Sequence, residues 1–198
     1  SQLAFSVIET KPDVVGPSAG SIRVVDLDGS DERVLARASR PEVLDNPRWS
    51  PDGRRLVIEI DRFDAEGYEI GCSIAVVDVA TGAMERLTDP LLFGSFPDWG
   101  PQGIVFSEAV RAYQAGIDPV AGSWNLWLID ADGGTPATIT DVDERSHLLH
   151  PSWSPDGRTI LASLQEPGRH PGVVVDPATG TWTEIAEGMG FPRLRPTS

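Results

Sequence analysis

His150-Pro151-Ser152-Trp153-Ser154-Pro155-Asp156-Gly157 repeats Asn46-Pro47-Arg48-Trp49-Ser50-Pro51-Asp52-Gly53 at six of eight positions, and Phe96-Pro97-Asp98-Trp99-Gly100-Pro101-Gln102-Gly103 is a weaker copy. The three tryptophans lie 50 and 54 residues apart. An internal repeat decides the architecture before any local pattern does. A single large antiparallel sandwich with chance similarity would not place one motif in phase three times.

The segments C-terminal to each copy repeat as well. An apolar run (55 to 60, 104 to 107, 159 to 164) precedes a variable loop, and a second run then ends in Asp78, Asp130 or Asp176. A glycine turn closes each unit, through Gly82, Gly133 or Gly180, ahead of a short final strand. Pro presets the first central position of a type I turn, Asp suits the next, and Gly accepts the left-handed conformation that ends it. Alternation and β-branched content mark the flanking runs as strands. With 20 glycines and 17 prolines the chain is too punctuated for a helical bundle. Four-stranded units of this period are β-propeller blades, so the sequence predicts an all-β chain of four-stranded antiparallel blades.

The N-terminal segment supplies a second, third and fourth strand but no first. Phe191-Pro192-Arg193-Leu194-Arg195-Pro196 has the skeleton of the tryptophan motif with nothing after it. Together they complete a fourth blade, and strand pairing between the two ends would close the ring and remove exposed sheet edges. The expected organisation is one domain over 1–198. Blade one is 1–38 plus 190–198, blade two 46–90, blade three 95–141 and blade four 150–188. A monomer follows from closure within one chain, and the alternatives are two chains sharing an eight-bladed ring or a segment of a longer propeller.

Trp-Ser-Pro-Asp-Gly followed by a strand, then Asp-x-x-x-Gly and Leu-Thr, resembles the TolB-type β-propeller repeat. The match is strong at 47–53 and 151–157, moderate at 97–103 and weak at 192–196. The resemblance implies a propeller used for binding, often in the bacterial cell envelope, and hence an extracytoplasmic location. Six blades are typical of that family, and this sequence departs from that number.

Composition narrows the partners. Sixteen basic against 30 acidic side chains give a formal net charge of −14, whose field repels phosphate backbones and anionic membranes. Nucleic acid is not an expected partner. No apolar run is long enough to span a bilayer, and Ser1 to Phe5 lacks the basic-then-apolar layout of a signal peptide. The single cysteine, Cys72, excludes an intramolecular disulfide framework and a Cys-based zinc site.

Propeller topology puts the Ser-Pro-Asp-Gly and Asp-x-x-x-Gly turns on one face. The second-to-third strand loops (10–20, 61–71, 108–124 and 166–171) and the connections 36–46, 89–96, 142–150 and 186–191 fall on the other. These segments differ from one another, as expected where a scaffold carries a specific site. Residues flanking each leading Pro should rim a central funnel: Asn46 and Arg48, Phe96 and Asp98, His150 and Ser152, Phe191 and Arg193. Arg48, Asp98, His150 and Arg193 could recognise a small polar or anionic ligand, or pair with one another. Tyr113 and Trp124 are candidates for an aromatic contact with a protein partner.

Catalytic motifs are weak. Gly16-Pro17-Ser18-Ala19-Gly20 fits a nucleophile elbow in letters, but a strand rather than a helix follows it. Asp26 to Arg37 fails as a calcium loop, with its glycine early and Arg37 where an acid belongs. Asp141, Asp143, Glu144, His147 and His150 are the densest set of possible metal ligands, and the two histidines could share an ion only if the segment coiled into a helical turn. No cofactor is implied. The expected function is a non-catalytic binding module for a protein or small polar ligand; a metal-dependent lyase or hydrolase with a histidine and carboxylate site is the alternative.

Overall fold

The computed structural model describes residues 1–90, 93–109 and 122–188. The chain divides into two compact units, Ser1–Phe93 and Gly94–Ser198. Every described sheet is an antiparallel meander in chain order.

The first unit holds β1 (Gln2–Thr10), β2 (Pro17–Asp26) and β3 (Arg33–Ser39) in one sheet, and β4 (Glu42–Trp49), β5 (Arg55–Phe63), β6 (Glu69–Asp78) and β7 (Met84–Arg86) in the next. The second unit holds β8 (Gly94–Gly100), β9 (Gly103–Glu108), β10 (Asn125–Ile129) and β11 (Ala137–Thr138), then β12 (His147–Trp153), β13 (Ile160–Gln165), β14 (Gly172–Val175) and β15 (Trp182–Ala186). The strand expected to complete the first sheet, 191–196, lies outside the described residues.

The repeated turn is built the same way twice. Ser50 Oγ donates to Asp52 Oδ1 at 2.7 Å and accepts from Arg55 N at 2.9 Å, while Gly53, at φ 69°, donates its N–H to the Ser50 carbonyl. Ser154, Asp156, Thr159 and Gly157 reproduce this with matching distances and the same φ. The motif recurs because each member satisfies a backbone group of the hairpin.

Side chains alternate across each strand, so Leu56, Ile58 and Ile60 of β5 share one face and pack with Ile22, Val24, Leu44 and Val77. In the second unit Ile160, Ala162 and Leu164 meet Val105, Leu126 and Leu148. Trp153 is 6% exposed, and its ring lies over Gly100, where a side chain would collide with it. Trp49 and Trp99 are only half-buried.

The strands run further than turn chemistry suggests. Residues 42–46 and 147–150, expected as connections, belong to β4 and β12, with 42–45 and 147–149 paired. The loops 10–20 and 61–71 shrink to 11–16 and 64–68, because each ladder runs on past one register shift, at Glu9/Thr10 and at Arg62/Phe63.

Candidate functional site

Each leading strand carries the same irregularity. The register of β4, β8 and β12 slips between Asp45 and Arg48, Ser95 and Asp98, and Leu149 and Ser152. Inside each slip the residue before Pro is left-handed: Asn46 at φ 50°, Phe96 at 56° and His150 at 55°. A following proline disfavours the right-handed region, and a non-glycine residue at positive φ persists only where its surroundings hold it. The residue before Pro is therefore a singular point in the backbone of each of these strands, with different chemistry in each copy.

In the second unit the rings of Phe96 and His150 meet at 4.0 Å between centroids, tilted 49°. Asp98 is engaged by backbone, its Oδ2 accepting the Trp153 N–H at 2.7 Å. Trp124 is half-buried and stitched to the neighbouring connection, its carbonyl accepting from Leu148 N at 2.9 Å. A groove beside it is lined by Asp143, Glu144, Arg145, Ser146, Glu166 and Pro167. Asp141 and Asp143 are exposed, and His147 and His150 sit in an extended strand rather than a helical turn. Partial burial lowers the pKa of His147 from its ordinary value. In the first unit Arg48 is half-buried and donates to the Pro47 carbonyl at 2.9 Å. Tyr113, Phe191 and Arg193 lie outside the described residues.

A second constellation, in the first unit, has no counterpart among the sequence motifs. Glu59, 5% exposed, accepts from Asn46 Nδ2 at 2.8 Å. The buried thiol of Cys72 lies 3.3 Å from both Glu59 Oε1 and Asp61 Oδ1. Asp45 accepts from Ser6 Oγ and, at 2.7 Å, from Asn46 N. Burial first, then Glu59 and Glu69, raises Asp61 to about 9, so this carboxyl keeps its proton at neutral pH. Among the described residues this is the one group of three donors, Glu59, Asp61 and Cys72, that converges closely enough to hold a metal ion, with its donor atoms within 4.8 Å of one another. The available signal was Glu59 interrupting an otherwise apolar strand; the pairing of Asp61 with Cys72 needed the register of β5 against β6.

The position of Glu59 recurs as Ser107 and Ser163, which face Ser95 and Leu149 as Glu59 faces Asp45. In the middle copy Phe96 stands where Asn46 would donate, and the buried Ser107 Oγ has no hydrogen-bond partner.

No family model matches the chain. It is 37% identical over 65 residues to the Tol-Pal system protein TolB of Anaeromyxobacter sp. (strain K), covering 33% of this chain and 14% of that protein. The solved structure of a putative TolB from Agrobacterium tumefaciens superposes over 94% of this chain and 63% of that one, with a TM-score of 0.67 at 18% identity. The chain resembles the TolB-like β-propellers over part of its length. The TolB-like chain is also 31% identical over 118 residues to the uncharacterized protein Atu1656 of Agrobacterium fabrum, covering 57% of the chain and 37% of that protein. An oligogalacturonate lyase solved in complex with manganese shares the fold, with a TM-score of 0.62 at 19% identity over 86% of this chain and 50% of that one. The chain thus spans less than two thirds of each of these proteins.

Proposed function

We propose that this TolB-like chain is a non-catalytic binding module whose long-loop end takes a protein partner or a small polar ligand. The observation that carries this is a contrast within each sheet. The two Ser-Pro-Asp-Gly turns are bonded alike, whereas inside the leading strands the strained residue before Pro is Asn46, Phe96 or His150, each set among different neighbours. Shared geometry reflects the scaffold, and divergence at held, strained positions reflects recognition. Arg48, Asp98, His150, Arg193 and Phe96 form the proposed rim, with Tyr113 and Trp124 as aromatic contacts.

The four sheets are read as blades of one ring, closed by residues 191–198 pairing along β1. A location outside the cytoplasm and a protein partner are part of the proposal, supported by the resemblance to relatives named TolB. Photo-cross-linkers placed at Trp124 and at Pro155 test the reading: a partner captured from Pro155 and not from Trp124 would place recognition on the turn end instead.

A metal-dependent lyase or hydrolase is the second reading, and the convergence of Glu59, Asp61 and Cys72 is what favours it. It requires a stoichiometric ion in the purified protein that is lost on Asp61→Asn.

A further inference from the structure

The Arg40 guanidinium donates to three backbone carbonyls. Nε donates to Pro17 O at 2.7 Å, one terminal nitrogen to Asp64 O at 2.9 Å and the other to Val15 O, with the guanidinium 5.4 Å from the centre of the Phe63 ring. These carbonyls lie in or beside two loops of the first unit, 11–16 between β1 and β2 and 64–68 between β5 and β6. The loops meet where only glycine fits. A side chain at Gly67, at φ 98°, would strike the Val15 carbonyl and come within 2.9 Å of Val15 Cβ, and Gly16 lies beside the Arg40 guanidinium at φ 74°. Asp64 Oδ1 accepts the N–H groups of Gly67 and Tyr68, both at 2.8 Å, which fixes the second tip.

A joint so heavily tied nevertheless displays apolar side chains to solvent. Val15 is 72% exposed and Tyr68 73% exposed. Anchors held in place before binding lose little freedom when a partner arrives, and tyrosine is favoured at such positions. Exposed Asp13 and Glu66 lie on the same two loops, whose only basic residue is Lys11. Together with the overall charge of −14, this sets the sign of the partner.

We propose that the loop joint clamped by Arg40 presents Val15 and Tyr68 as a preformed anchor for an extended protein segment carrying apolar side chains beside Lys or Arg. This rests on the reading of the long-loop end as the working face. Arg40 is then a positioning residue, acting through the two loop tips.

The test titrates the isotope-labelled full chain with two synthetic peptides of equal length, one alternating Leu with Lys and the other Leu with Glu, followed by NMR. The Leu–Lys peptide should shift resonances of 12–16 and 64–69 and weaken with added salt, and the Leu–Glu peptide should not bind. Tyr68→Ala, an exposed change that leaves melting unaltered, should weaken binding roughly tenfold or more. Arg40→Ala should weaken it with Tyr68 intact, and if that variant unfolds, Tyr68→Ala and Val15→Ser decide alone. Absence of binding, equal binding of both peptides, or undiminished binding by Tyr68→Ala overturns the anchor. Shifts confined to 143–147 overturn the anchor and keep the long-loop face. Shifts at 51–53 and 155–157 overturn both.

Discussion

The carboxylate of Asp98 accepts the backbone N–H of Trp153 at 2.7 Å, joining the first strand of one sheet to the first strand of the next within the second unit. Removing it leaves that N–H without its partner beside a buried ring. Asp98→Ala should therefore cost about 1–3 kcal/mol in urea denaturation, and Asp98→Asn, which keeps an accepting oxygen, less. A loss below the measurement error would mean that the bond does not fasten the sheets.

The Trp153 ring, 6% exposed and laid over Gly100, gives a second stability test. Trp153→Ala should destabilise by about 3–5 kcal/mol through lost packing and the cavity left behind. Gly100→Ala should cost about 1–3 kcal/mol from the opposite cause, since its new methyl group has no room under the ring. In the double variant the total loss should fall short of the sum of the two, because truncating the ring makes the room the methyl needs.

Glu108 sets a pH dependence. It is 2% exposed, its Oε2 has no hydrogen-bond partner, and burial raises its carboxyl to about 7. The folded value lies above the ordinary one of 4.5, so the folded chain retains a proton that the unfolded chain releases. This contribution to stability is intact below the ordinary value and is lost as pH rises toward 7. The equivalent positions of the other copies hold Ile60 and Leu164, both buried. Glu108→Leu should therefore raise stability at pH 8 by about 1–3 kcal/mol, with little gain at pH 4. An equal gain at both values would show that the effect is packing rather than charge.

The repeat made the sheets legible, because Ser50, Asp52 and Gly53 each satisfy a specific hairpin group and so must recur at Ser154, Asp156 and Gly157. The strained residues before Pro were legible only as positions. Pro47, Pro97 and Pro151 marked Asn46, Phe96 and His150, but the left-handed backbone arises from the register slip, which depends on pairing with β5, β9 and β13. Asp61 and Cys72 stand eleven residues apart, and Arg40 reaches carbonyls more than twenty residues away. Contacts of that kind follow from the folded topology and leave no local pattern.

The proposed placement of recognition at the long-loop end makes opposite demands on two charges. Arg48, of the proposed rim, closes the register slip of β4 and is half-buried, with its Nη1 donating to its neighbouring proline carbonyl. Arg48→Glu should weaken capture of a partner co-purified from the native host by roughly tenfold while changing stability by less than about 1 kcal/mol, since partly exposed charges contribute little to folding. Asp156 is the control at the turn end: it accepts from Ser154 Oγ at 2.7 Å and from Arg158 N at 3.1 Å, and those bonds lower its pKa. Asp156→Ala should therefore lower the melting temperature and leave capture intact. The two measurements together separate the ends of the sheets. Capture lost by Asp156→Ala and retained by Arg48→Glu would move recognition to the turns, with the fold unchanged.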